Sequence, residues 1–214
     1  LIEPEFCRTF LQEHPMRCIR GRFYTVDGLV ADESVLKKEI YDQISPWLET
    51  KIARKVDELL NALRMAAYSE PIELECDHIH VANGTLFVDG RFTLEKAYCN
   101  NRLTVSYRPD APPPEKWLRF LAELLYPEDI PTLQEYLGYC LLPTTRGQKM
   151  LMLIGKGGEG KSRIGLVMHS IFGDSMNTTS IQKVENNRFS RADLESKLLM
   201  VDDDMDMSAL PKTN

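Results

Sequence analysis

The sequence predicts an α/β domain built on a partial parallel sheet, preceded by a smaller α+β domain. Three observations carry this prediction. An apolar run, Met150-Leu151-Met152-Leu153-Ile154, leads directly into a glycine-rich segment that ends Gly160-Lys161-Ser162. A second apolar run, Leu198-Leu199-Met200-Val201, stops at Asp202-Asp203-Asp204. Upstream of both, helical periodicity gives way near Glu75 to alternation of period two, the signature of strands.

Taken in order, Phe6, Cys7, Phe10 and Leu11 share one face of a helix over residues 5–13. A strand-like stretch from Cys18 to Val30 follows, with an Asp27-Gly28 turn inside it. Leu36, Ile40 and Ile44 resume a helical period, which Pro46 interrupts because proline lacks the N–H a helix needs. Ile52, Val56, Leu59, Leu60, Leu63 and Ala67 define a cleaner amphipathic helix, with Arg54, Lys55, Asp57 and Glu58 facing away.

Beyond Glu75, Ile79 and Val81, an Asn83-Gly84 turn, Leu86 and Val88, then Asp89-Gly90 read as a hairpin. Leu103, Val105 and Tyr107 suggest a further strand. Prolines in Arg108-Pro109-Asp110-Ala111-Pro112-Pro113-Pro114 suit neither helix interior nor sheet, so this stretch is the expected linker. The domains are accordingly placed at 1–108 and 109–214. Two helices follow, one carrying Trp117, Phe120, Leu121, Leu124 and Leu125. The other carries Leu133, Tyr136, Leu137, Cys140 and Leu141, and Pro143 stops it. The apolar run 150–154 reads as a buried parallel strand.

Composition narrows the function classes. Of 214 residues, 43% are hydrophobic and 27% charged, ordinary globular usage. No apolar run reaches the roughly 20 residues of a spanning helix, and Leu1-Ile2-Glu3-Pro4-Glu5 carries no secretory signal. With no initiator Met and an abrupt Lys212-Thr213-Asn214 end, the chain reads as an excerpt of a longer protein. Five cysteines, Cys7, Cys18, Cys76, Cys99 and Cys140, lack Cys-x-x-Cys spacing and suit reduced thiols in a cytoplasmic setting. A net charge of −6 argues against a generally basic nucleic-acid coat, while leaving room for a local track. Two basic clusters, Arg17, Arg20 and Arg22, then Lys183, Arg188 and Arg191, read first as solvated surface.

The chemistry is concentrated in Gly155-Lys156-Gly157-Gly158-Glu159-Gly160-Lys161-Ser162, which satisfies G-x-x-x-x-G-K-[ST] in full. Glycines let such a loop curl so that successive backbone N–H groups point at phosphate oxygens. The loop then enters a predicted helix over 163–172, whose N-terminal dipole also favours an anion. Lys161 is expected to reach the β- and γ-phosphates of ATP, and the Ser162 hydroxyl to ligate Mg²⁺. Lys156 and Glu159 occupy variable positions, so only their backbone is expected to matter. Chance would supply such a pattern in roughly one chain of this length per hundred, and the strand–loop–helix context makes coincidence the weaker reading.

The run ending Val201-Asp202-Asp203-Asp204 has the form of a Walker B element, an apolar strand closing in acids. One carboxylate holds Mg²⁺ through its water shell and the next polarises the attacking water. Asp202 is assigned to the metal and Asp203 to the water, and Asp204 is an open competitor one residue along. Weaker constellations remain structural. Cys76, His78 and His80 would share a strand face, but no fourth zinc ligand accompanies them. His169 lies within the helix after the loop and reads as packing or surface.

On these residues the chain resembles the phage and plasmid primase-helicases, the poxvirus-type group whose helicase part is a superfamily-three AAA+ ATPase. The likeness is most specific in Gly155 to Ser162 and in the interval to Leu198–Asp203. Tyr107-Arg108-Pro109-Asp110-Ala111 followed by Trp117 and Phe120-Leu121 adds to it, as do Leu137-Gly138-Tyr139-Cys140-Leu141 and Asn83-Gly84-Thr85-Leu86. Residues 1 to about 100 are similar only in layout to the domain preceding the helicase there. At the position of Glu159 the family often carries Asn.

The resemblance implies an AAA+-like sheet in a homo-oligomeric ring, a hexamer, that hydrolyses ATP between subunits and moves along single-stranded or replication-fork DNA. A primase domain would lie upstream. Two other classes compete: a P-loop kinase for a small substrate, and a non-enzymatic DNA-binding or ring-assembly module. Stimulation of ATP turnover by single-stranded DNA separates the helicase from both. No membrane association is expected.

Overall fold

The computed structural model describes residues 2–205; Leu1 and residues 206–214, including the Lys212-Thr213-Asn214 end, lie outside them. The chain packs as two compact units, Leu1–Glu73 with Tyr98–Asn100, and Leu74–Ala97 with Asn101–Asn214. The change of unit therefore falls ahead of the proline-rich stretch 108–114 at which the sequence suggests a linker. No helix among the described residues is long and apolar enough to cross a membrane.

In the first unit, α1 (Glu3–Glu13) begins with proline in its first turn and buries Cys7 and Phe10. Strands β1 (Arg17–Ile19), β2 (Arg22–Thr25) and β3 (Gly28–Leu29) form an antiparallel meander in which Cys18 pairs with Phe23 and Tyr24 with Leu29. Helix α2 (Glu33–Ile44) is capped by the Asp32 carboxylate, which accepts from Ser34 N at 2.8 Å, and it buries Leu36, Ile40 and Ile44. A single 3₁₀ turn at Ser45–Trp47 ends that helix at Pro46, as expected from the sequence. Helix α3 (Ile52–Ala66) buries Val56, Leu59, Leu60 and Leu63 against α1 and α2. Each such side chain contributes about 1.5–3 kcal/mol on leaving water, so this stripe anchors the unit.

The second unit opens with a hairpin of β4 (His78–Val81), β5 (Gly84–Phe87) and β6 (Phe92–Thr93). Val81 pairs directly with Gly84, so the turn residues are Ala82 and Asn83. The stretch expected as a strand at 103–107 is not a regular one. It runs alongside β4, with Leu103 N donating to His80 O at 2.8 Å and Ala82 N to Val105 O at 2.9 Å. The Asn83 amide then exchanges two hydrogen bonds with the Tyr107 backbone, which breaks the ladder there. The hairpin belongs to this unit because Ile79, Val81 and Phe92 share a core with Leu121, Leu133, Ile164 and Phe172.

Helices α4 (Glu115–Leu124) and α5 (Asp129–Tyr139) follow the proline-rich stretch. After the glycine-rich loop comes α6 (Ser162–Phe172), whose Ile164, Met168 and Phe172 are buried at a spacing of four. Thr104 caps its C-terminal end, donating from Oγ1 to Ser170 O at 2.8 Å and from N to Ile171 O at 3.0 Å, and so satisfies carbonyls a helix end leaves open. Strands β7 (Met176–Thr178) and β8 (Leu199–Val201) pair in parallel, Asn177 opposite Met200. Helices α7 (Ile181–Asn186) and α8 (Arg188–Ala192) make the crossover between them, as parallel pairing requires.

The described parallel sheet has these two strands. The run 150–154, expected as a buried strand, is extended but joins no sheet among the described residues. Leu151 and Leu153 pack on the core, whereas Met150, Met152 and Ile154 are 55%, 43% and 81% exposed. Only one face of this run is covered, and among the described residues no strand lies beside it.

Candidate phosphate-binding site

The loop 155–162 owes its shape to two glycines in the left-handed region, Gly158 at φ +86° and Gly160 at φ +96°. Side chains rarely adopt that conformation, which explains glycine at those two positions. Around Gly157 and Gly158 a side chain would meet nothing within 4 Å, so the crest of the loop is open. At Gly160 the loop rests on α4, where the Phe120 ring would lie 3.6 Å from an added Cβ. The motif gave no hint of that support; the apolar period of α4 placed Phe120 in a core but not beneath the loop.

Lys161 turns its side chain back into the loop. Its Nζ donates to Lys156 O at 2.9 Å and to Glu159 Oε2 at 3.1 Å. Lys156 thus meets Lys161 through its backbone carbonyl, and Glu159 meets it through its side chain. Ser162 is the first residue of α6 and is exposed. The arrangement fits a phosphate group: an open crest, a lysine ammonium directed inward, and a helix N-terminus behind it.

The acids lie close to this helix. A Cβ added to Gly165 would stand 3.8 Å from Val201 Cγ1. Gly165 is one helical turn beyond Ser162, and Val201 immediately precedes Asp202. Helix α6 thus approaches β8 at Gly165, one turn from Ser162 and beside the residue that precedes Asp202.

Asp202 is half-buried, while Asp203 and Asp204 are exposed. Its Oδ2 accepts from Ile181 N, the start of α7, at 2.9 Å, and its Oδ1 accepts from Asp204 N at 3.3 Å. Sequence reasoning missed this structural duty, since Ile181 is distant along the chain.

No group of three or more His, Cys, Asp or Glu is placed to hold a metal among the described residues. The donors at hand, Ser162 and Asp202, suit Mg²⁺, which keeps several waters and shares its coordination with substrate phosphates. Beside Lys161 and Glu159 opens a groove of about 310 Å³ of mixed character, with Leu125, Leu133 and Leu153 on one hand and Asp129 and Thr132 on the other in its lining.

The remaining candidates have local partners. Cys76 Sγ donates to Pro143 O at 3.7 Å, and His78 Nδ1 lies 2.8 Å from Asp77 Oδ1. His80 is buried beside Thr85. His169 is exposed on α6. Arg17, Arg20 and Arg22 are exposed around the β1–β2 turn, with the Arg17 guanidinium 4.4 Å over the Tyr98 ring. Lys183, Arg188 and Arg191 are exposed on the α7–α8 crossover.

A family described as being of unknown function, DUF5906, matches residues 153–214. That range takes in the glycine-rich loop, α6, the parallel pair and the three aspartates. No curated protein matches the chain.

Proposed function

We propose that the chain is the ATP-binding and ATP-hydrolysing module of a DNA helicase, part of a primase-helicase that replicates a phage, plasmid or other mobile element. One observation carries the ATPase part. Lys161 is directed into a glycine-curled loop at the start of α6, and Gly165 of the same helix approaches Val201, the last residue of β8 and the neighbour of Asp202. The DNA, the ring of subunits and the primase rest on the resemblance in sequence.

In this reading the loop backbone and the first turn of α6 bind the phosphates of ATP, and Lys161 binds its β- and γ-oxygens. Ser162 and Asp202 hold Mg²⁺, which when bound supplies neutralisation of the charge on the transferring phosphoryl group. Asp203, exposed next to them, orients the attacking water.

The test is ATP turnover of the protein and of Lys161→Ala, each with and without single-stranded DNA. Turnover stimulated by DNA and abolished in a folded Lys161→Ala variant is the expected result. Unchanged nucleotide affinity and turnover in that variant would remove the phosphate-loop assignment. Turnover indifferent to DNA, with phosphate passed to a small acceptor, would favour the kinase reading.

A further inference from the structure

We propose that the Glu159 side chain is a specificity determinant of this loop, selecting a magnesium-complexed polyphosphate over the bare anion. The inference rests on the phosphate-loop reading above and goes beyond it, because it assigns a role to a side chain that the motif leaves free.

Three features lead to it. First, Lys161 Nζ is shared between Lys156 O at 2.9 Å and Glu159 Oε2 at 3.1 Å. A carboxylate oxygen therefore sits on the ammonium where a phosphate oxygen would need to be. Second, that oxygen lies 2.1 Å from the place of a Cβ on Gly155, so the carboxylate is seated against the base of the loop and not splayed into solvent. Gly155 has the room that this seat requires. Third, the side chains of the loop carry two positive charges, Lys156 and Lys161, and one negative, Glu159. Pairing with Glu159 cancels the charge on the lysine that a phosphate must reach.

An incoming polyphosphate has to displace this carboxylate, and the carboxylate then stays beside the ligand. The Glu159 and Lys161 side chains are 44% and 26% exposed, so breaking the pair costs little. The larger effect is repulsion between the displaced carboxylate and the phosphate charges. A divalent cation on the phosphates removes two of those charges. The penalty imposed by Glu159 therefore falls mainly on the bare anion.

Binding of inorganic tripolyphosphate by titration calorimetry, at constant ionic strength, tests this directly. It is measured with Mg²⁺ and with excess chelator, on the protein, Glu159→Gln, Glu159→Asp and Lys161→Ala. Glutamine can still accept from Lys161 but carries no charge. Glu159→Gln is expected to tighten bare tripolyphosphate by roughly three- to tenfold, with a gain at least about threefold smaller for the magnesium complex. Glu159→Asp, which keeps the charge, should retain the parent preference, and added salt should shrink the difference between Gln and Glu.

An equal gain for both forms, or none for either, overturns the proposal. Loss of the preference in Glu159→Asp also overturns it, because charge would then not be the cause. Lys161→Ala distinguishes the two levels of failure. If it binds tripolyphosphate like the parent, the phosphate-loop reading itself falls. If it loses binding while Glu159→Gln changes nothing, only the role of Glu159 falls.

Discussion

Replacing Asp202 separates a structural duty from a chemical one. Its carboxylate accepts from Ile181 N and from Asp204 N, tying the end of β8 to the first turn of α7. Removing a side-chain acceptor from a helix start costs about 0.5–2 kcal/mol. Asp202 is half-buried, so Asp202→Ala should lose about 1 kcal/mol of stability. Asp202→Asn should lose roughly half of that, since its one carbonyl oxygen can keep one of the two contacts. Asp203→Asn and Asp204→Asn, both at exposed positions, should stay within about 0.5 kcal/mol of the parent.

The assay is urea unfolding combined with the Mg²⁺ dependence of nucleotide binding and with ATP turnover. Unfolding is followed by Trp117 fluorescence in a Trp47→Phe background. Trp117 packs on the core of the second unit, whereas Trp47 is 80% exposed in the first, so the remaining signal reports the unit that holds the site. Asp202→Asn should raise the Mg²⁺ requirement as well as lower stability. Asp203→Asn should leave stability and binding intact and stop turnover. Parent-like stability of Asp202→Ala would refute the tie to α7. A turnover block in Asp204→Asn, with Asp203→Asn active, would move the catalytic register by one residue.

Two further predictions concern the hairpin of the second unit. Gly84 has φ +155°, and a Cβ there would lie 2.0 Å from Thr93 O on the neighbouring strand. Gly84→Ala should therefore cost about 3 kcal/mol, seen as a lower urea midpoint by Trp117 fluorescence; an unchanged midpoint would contradict the tight β5–β6 approach. His80 is 9% exposed, and its pKa is lowered from 6.5 to about 4, first by burial, then by the Arg102 guanidinium and His78. The fold holds the neutral imidazole while the unfolded chain takes a proton near pH 6.5. Its contribution is thus fully present above that pH and is lost as pH falls toward 4, by about 2 kcal/mol already at pH 5. His80→Gln should flatten the pH dependence of unfolding in this window, and an identical slope in variant and parent would count against it.

Much of the secondary structure was legible from local pattern. The apolar periods of α2 and α3 are properties of neighbouring residues, and local geometry enforces them; the hairpin was legible too, but its first turn falls at Ala82-Asn83, one residue before the expected Asn83-Gly84. Short elements were not legible. The strands β7 and β8 have three residues each, and α7 and α8 have six and five. Of these, only β8 was marked, by the acids at its end. A single helical turn shows no period to read.

What the sequence determined by itself about this protein is the loop Gly155–Ser162 and the acids Asp202–Asp204. The proposed phosphate binding calls for glycines, a lysine and a hydroxyl at fixed intervals along one continuous segment, so such a motif is legible in the order of residues. Only the tertiary structure decided which core the hairpin joins, since an apolar face can be covered by any neighbour. It also decided that Met150, Met152 and Ile154 stay exposed, because burial on both faces depends on strands brought from elsewhere. The Glu159 carboxylate on Lys161 and the Asp202 carboxylate on α7 belong to the same class. A carboxylate's partner is set by which donors the folded backbone brings within about 3 Å, and residue spacing alone does not specify that.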